Sequence, residues 1–258
     1  MKFFFPFSFL TASFLLLILG VFSEPHEGIT GGYEVARHSR PYLALLKGSN
    51  NCAGALIKEN WVLTAARCQL ENKTQIFLGA GSIFHKKNHK QIFSIKKNII
   101  YPCYDSLTSE GDLQLLQLDG RATITKDVGI LQLPKTGEDV KPHTKCHVAE
   151  WRSTRKNPKG ILDTLREVNV TVTDQKICKD EKYYNFKSVI DKTRICAIGK
   201  KGENDACRVN AGSPLICGNI FRGVTSFGKC CNPQKPGVYT ALTTNYLNWI
   251  RKTIGGAI

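Results

Sequence analysis

The sequence has no cysteine or histidine spacing that suits a zinc site: none of its ten cysteines forms a CxxC pair. No metal and no cofactor is therefore expected. There is no short-period repeat. Acidic residues are scarce, 21 against 36 Lys and Arg, for a formal charge of +15. The basic residues cluster at "HKKNHK" (85–90), "RSTRKNPK" (152–159) and "KK" (200–201), with no aromatics between them. That is not the pattern of a nucleic-acid platform, so no specific nucleic-acid partner is expected. A basic protein of this charge can still associate with sulfated glycans and other polyanions, or simply present a solvated basic face. Long apolar runs are missing beyond the first two dozen residues, so no membrane span is expected once those are removed.

The one apolar run, "FFFPFSFLTASFLLLILGVF", follows Met1-Lys2 and ends near Val21 and Ser23. A charged start, an apolar middle and a small-residue exit define a secretory signal peptide, placed at 1–23, with 24–28 as a short propeptide. A retained anchor is the rival reading; Pro6 and the lack of a basic flank weigh against it. In an exported, or granule-stored, protein the cysteines point to disulfides rather than metal. The sequons at Asn72 and Asn169 become usable glycosylation sites. Residues 29–258 hold 35 basic and 19 acidic residues, so the exported part carries +16.

Short β-rich runs alternate with turn clusters along this part: 41–47, 52–57, 61–66, 75–80, 113–118 and 129–134, then 145–151, 165–173, 213–218, 221–228 and 237–242. Strands at this spacing read as an antiparallel sandwich or barrel. The polar stretch "KTGEDVKPHT" (135–144) reads as a connector. The sole convincing helix closes the chain at 243–254, with Tyr246, Leu247, Ile250 and Ile254 on one face. The pattern predicts an all-β fold of two barrels, about 29–134 and 135–242, and a C-terminal helix.

Three stretches carry chemistry. "NWVLTAARCQ" (60–69) ends an apolar strand at a cysteine, "EGDLQLLQL" (110–118) sets an Asp at the head of a strand, and "DACRVNAGSPL" (205–215) frames a tight turn around Ala211. With "ITGGYEVARHSRPYLALL" (29–46), "YPCYD" (101–105), "DTLREVNVTV" (163–172) and "LNWIRKTI" (247–254), they closely resemble the trypsin-like serine proteases (peptidase S1), most of all the granzyme A type. The resemblance covers essentially the whole exported chain and implies two packed six-stranded antiparallel barrels with the active site between them.

It also implies a triad in which a His takes a proton from a Ser while an Asp holds the imidazole. Asp112 matches the Asp; the His position holds Arg67 and the Ser position Ala211. Arginine stays protonated and alanine has no nucleophile. Val209 stands at the oxyanion-hole position, where the family has Gly. Ile29 matches the activated N-terminus, but its expected partner is Asn210 rather than Asp, which points to a zymogen-like state. Asp205, Gly228 and Gly237 match a pocket that selects Lys or Arg, although Asp205 could equally be a solvated loop acid.

The implied disulfides are Cys52–Cys68, Cys146–Cys217, Cys178–Cys196 and Cys207–Cys230, with Cys103 at the position of an inter-subunit bridge that would make a covalent homodimer. Cys231 could replace Cys230 or remain a free thiol. Arg67 is expected to fold back onto Asp112, against the alternative of pointing into solvent. On these substitutions the expectation is a secreted, granzyme A-like homologue that is not an enzyme and acts by binding. The alternative is a residual endopeptidase cleaving after Lys or Arg.

Overall fold

The computed structural model describes residues 33–36, 39–49, 51–79, 90–151, 165–180, 191–199, 210–228 and 236–255. Thirteen strands and two helices are present among them. Six strands, β2 (Leu43–Lys47), β3 (Cys52–Lys58), β4 (Trp61–Thr64), β5 (Gln75–Leu78), β6 (Gln91–Ile100) and β7 (Gln114–Leu118), close into a barrel in the order β2-β3-β4-β7-β6-β5. Six more, β8 (Lys145–Trp151), β9 (Leu165–Val172), β10 (Arg194–Gly199), β11 (Pro214–Cys217), β12 (Ile220–Phe227) and β13 (Gly237–Ala241), close through the β8–β9 pairing. All these pairings are antiparallel. The fold is all-β: two six-stranded antiparallel barrels followed by a helix. The short β1 (Tyr33–Glu34) precedes the first barrel in sequence yet pairs with β9 of the second.

Burial follows the composition of each run. β2, β3 and β4 are apolar and buried up to their last residues, Lys47, Lys58 and the buried Thr64, as suits strands packed into a small closed barrel. The run 129–134, expected as a strand, forms none: Gly129 and Leu131 donate to the carbonyls of Pro41 and Leu56 without a continuing ladder, and Pro134 has no N–H to extend one. Besides the two-residue β1, two barrel strands are absent from the expected runs. β6 is largely exposed and interrupted by Lys96 and Lys97, so its alternation is weak. β10 is apolar but short and opens on Arg194.

The C-terminal helix α2 (Thr244–Thr253) returns to the first barrel. Thr243 caps it by accepting from the Tyr246 N–H, and Tyr246, Leu247 and Ile250 are buried in the cluster that also holds Leu56, Leu63 and Leu116. Tyr101 meets the rings of Tyr246 and Trp249 edge-on at 4.9 and 5.2 Å. Arg251 donates to the carbonyls of Pro134 (2.7 Å) and Lys135 (3.0 Å), fastening the inter-barrel connector. The short α1 (Gln175–Lys179) is tied to β10 by Cys178–Cys196. Cys146–Cys217 joins the paired strands β8 and β11, and Cys52–Cys68 ties β3 to the turn after β4.

Candidate active site

The turn after β4 and the head of β7 meet at the seam between the barrels. Gln114 donates to the carbonyls of Ala65 (2.8 Å) and Cys68 (3.1 Å), which fixes the Ala65–Cys68 turn. Gly111, at φ +62°, bends the chain so that Asp112 points inward; a Cβ there would lie 2.5 Å from the Tyr101 ring. Asp112 is fully buried. Its Oδ1 accepts from the Arg67 backbone N–H at 2.8 Å and its Oδ2 from Arg67 Nε at 2.9 Å. The Arg67 side chain has therefore folded back rather than pointed outward, and a carboxylate in low dielectric has a charged partner.

The second barrel completes the cluster. The Ser226 hydroxyl donates to Asp112 Oδ2, and the Thr240 hydroxyl lies 3.4 Å from the Asp112 carbonyl. Arg67 Nη2 donates to the Ser109 hydroxyl. Arg194, nearly buried, donates through Nη2 to the carbonyls of Ser109 and Thr108 and through Nη1 to Ser226 Oγ at 3.5 Å. Burial pulls its guanidinium below the ordinary arginine value, with Asp112 opposing. Both guanidiniums face Phe227, at 5.2 Å for Arg67 and 5.7 Å for Arg194 from the ring centroid. Arg194, Ser226 and Ser109 were not singled out from sequence. A lone Arg heading the apolar "RICAIG" was the available signal.

The framed turn docks against the first barrel. The Ala53 N–H donates to the Ala211 carbonyl at 3.0 Å, and the Gly212 N–H to the Thr225 carbonyl at 2.8 Å. Gly212 sits at φ +91°, and a Cβ would meet the Ala53 carbonyl at 2.0 Å and the Thr64 hydroxyl at 2.1 Å. Only glycine fits this approach. Ala211, half-buried, heads the turn with its methyl group. Ser213, two residues on, is fully buried and so gives no exposed hydroxyl in its place. Asn210 donates from Nδ2 to the Trp151 carbonyl at 3.1 Å.

Gly228 follows β12 and Gly237 opens β13. Cys103 is an exposed free thiol, and Asn72 and Asn169 are exposed. Residues 1–23 and 24–28, Ile29, Asp205, Cys207, Val209, Cys230 and Cys231 lie outside the described residues, as do 85–89, 152–159 and 200–201 of the basic clusters. Among the described residues, no group of three His, Cys, Asp or Glu is placed to hold a metal ion. No helix among them is long and apolar enough to cross a membrane.

Two closed antiparallel barrels with a buried Asp and a glycine-locked turn facing each other across the seam define the double-barrel peptidase class. The Trypsin family model matches residues 29–250. Granzyme A of Bos taurus is 65% identical over 98% of this chain and 98% of its own length. The solved structure of GrC superposes with a TM-score of 0.76 at 32% identity, covering 87% of this chain and 98% of that one. Neuropsin, described as a serine protease expressed in the limbic system of mouse brain, gives 0.75 at 31% identity, covering 86% and 98%. The chain belongs to the trypsin family of serine proteases and resembles granzyme A along nearly its whole length.

These relationships correct the expectation that the chain is not an enzyme. Likeness to granzyme A over nearly the full chain, and to a solved serine protease over most of it, points to an enzyme. The substitutions at Arg67, Ala211, Val209 and Asn210 alter four side chains of a scaffold that otherwise matches granzyme A along nearly the whole chain. In serine proteases with a triad member removed, substrate binding and an intact oxyanion hole still accelerate hydrolysis by about 10³–10⁴-fold over water.

Proposed function

We propose that the chain is a granzyme A-like endopeptidase of low rate that cleaves after Lys or Arg. The observation that carries this reading is the 65% identity to granzyme A over 98% of both chains. Asp205 is assigned to the base of the specificity pocket, with Gly228 and Gly237 keeping its walls open, so that a Lys or Arg side chain enters. Ala211 has no hydroxyl, so attack on the scissile carbonyl falls to water, without an acyl-enzyme. Arg67 stays protonated and cannot act as base; its charge, next to the cleft, favours developing negative charge on the carbonyl oxygen. Val209 at the oxyanion position and Asn210 in place of the activating Asp both hold the rate down. Cleavage before Ile29 belongs to the same reading, as do secretion or granule storage, removal of residues 1–23, and glycosylation at Asn72 and Asn169.

A covalent homodimer through Cys103 and retention on sulfated glycans complete the proposal. The exposed Cys103 thiol and the +15 charge support them. The enzymatic reading is tested by incubating the purified chain with a peptide library and mapping the new termini. Cleavage confined to bonds after Lys and Arg, and lost in Asp205→Ala, is expected. Cleavage without that preference, or unchanged in Asp205→Ala, would overturn it.

A further inference from the structure

We infer that Arg194 is a positioning residue: it reaches from the second barrel, grips the main chain of loop 105–110 of the first, and so fixes Arg67 beside the cleft. The loop has little of its own to hold it. Of its residues Ser109 alone is buried, and Leu107 at the tip is 94% exposed. Its internal bonds are local: Asp105 accepts from the Leu107 N–H at 2.8 Å and the Thr108 hydroxyl at 2.9 Å, and the Asp105 N–H donates to the Glu110 carbonyl at 3.0 Å. Segments with exposed hydrogen bonds and few buried apolar contacts open readily unless another element closes them. Ser109 also sits at φ +60°, a conformation a non-glycine residue keeps only where its surroundings impose it.

Those surroundings come from both barrels. The Ser109 hydroxyl accepts from Arg67 Nη2, and its carbonyl accepts from Arg194 Nη2, which also reaches the Thr108 carbonyl at 3.3 Å. Nη1 of Arg194 lies 3.5 Å from the Ser226 hydroxyl, which in turn donates to Asp112. The backbone of Arg194 is itself fixed. Its N–H donates to the Asp191 carbonyl at 3.1 Å, its carbonyl accepts from Gln175 at 3.1 Å, and it pairs with Thr240 of β13. The side chain is buried, with Asp112 and Asp191 supporting the charge that burial opposes. A planar guanidinium fork can serve two carbonyls and a hydroxyl at once, which a lysine ammonium cannot do in the same geometry.

Arg67 depends on this grip. Its guanidinium is held by Asp112 and Ser109, and Arg194 steadies the first through Ser226 and the second directly. Arg67 precedes Cys68, whose Sγ lies 3.5 Å from the Ala211 carbonyl, so the held charge borders the framed turn. The functional part of the inference rests on the proposal that the Arg67 charge assists hydrolysis there: Arg194 then sets the rate without touching the peptide.

Hydrogen–deuterium exchange of the full chain, resolved by mass spectrometry, tests the grip independently of turnover. In the unaltered protein the amides of 105–110 should exchange at least about tenfold more slowly than in a free peptide of the same sequence. Exchange at the peptide rate would overturn the inference, and this arm decides if variants at Arg194 do not fold. Arg194→Met, which keeps much of the bulk, should speed exchange in the loop by about tenfold while the strands of both barrels stay protected. Arg194→Lys, which keeps a charged donor for the Ser109 carbonyl, should restore part of the protection. A loop unaffected by Arg194→Met, or a rise spread evenly over both barrels, would contradict the positioning role. With an activated Lys ester, Arg194→Met should lower kcat by about tenfold and leave KM within about twofold; a change in KM alone would contradict the link to Arg67. An unaltered chain that shows the expected exchange pattern but turns over no ester would count against the enzymatic reading alone.

Discussion

Asp112 and Arg67 show how a side chain is chosen by what is buried beside it. A carboxylate with no exposed surface needs charge or hydrogen bonds in place of water, and Arg67 supplies both from its backbone N–H and its Nε. Truncating Arg67 removes the cation and leaves the carboxylate with the Ser226 hydroxyl and one backbone N–H. Arg67→Ala is therefore expected to lower unfolding stability by about 3 kcal/mol in urea titrations. Adding Asp112→Asn to that variant should recover part of the loss, because the stranded charge is then gone. An Arg67→Ala protein with unchanged midpoint would show that the pair contributes nothing. Arg67 and Asp112 were both legible in the sequence as facing residues, since the flanking "LTAARC" and "GDLQLL" are distinctive. Arg194 was not, because nothing local tells that a strand-initial Arg turns inward under another loop.

At the scale of elements, the closed barrels were legible from runs of apolar residues bounded by turns, and the two exceptions are instructive. β6 carries Lys96 and Lys97 within its pairing with β7, so its side chains conceal a backbone that completes the barrel. The run 129–134 is apolar because it covers the barrel, with Leu131 buried, yet it makes no ladder. Hydrophobicity reports burial, and only hydrogen bonding decides the strand. The turn 210–213 is held by main-chain hydrogen bonds and by an approach too close for a side chain: Gly212→Ala would place a methyl 2.0 Å from the Ala53 carbonyl, and a loss of more than about 3 kcal/mol, or failure to fold, is expected. Wild-type stability in that variant would contradict the docking of the turn.

β8 and β9 make a second prediction at this scale. His147 on β8 lies 4.0 Å from Glu167 on β9, which also accepts from Arg40 at 2.6 Å and from Tyr33. Burial holds the imidazole below its ordinary value, Glu167 opposes this and Arg40 reinforces it. The unfolded chain, with a histidine value near about 6.5, takes up the proton first. Stability from this group is thus full above that pH and falls as pH drops through it. His147→Gln should flatten the stability profile just below neutrality; an unaltered slope would remove His147 as its source.

For the whole molecule, assembly and charge are set by features on the surface. Cys103 is exposed, and non-reducing electrophoresis should show a species of twice the monomer mass that disappears in Cys103→Ser. A monomeric wild type would reject the bridge. Heparin retention should weaken steeply with added salt, and neutralising Lys86, Lys87 and Lys90 should lower the salt needed for elution. The family is legible from sequence because its motifs extend over the whole exported chain; activity is not, because the four substituted positions, Arg67, Ala211, Val209 and Asn210, say little of what the remaining cleft contributes. Restoring Arg67→His and Ala211→Ser together should raise the rate only slightly until Val209→Gly and Asn210→Asp are added. The most direct measurement is hydrolysis of an activated Lys ester by the unaltered chain after fluorophosphonate treatment, which silences any serine nucleophile. The account predicts turnover above the buffer rate, by up to about 10³–10⁴-fold, that persists after treatment and is lost in Asp205→Ala. A rate equal to that of buffer, alongside a fourfold revertant that cleaves the same ester rapidly, would contradict it.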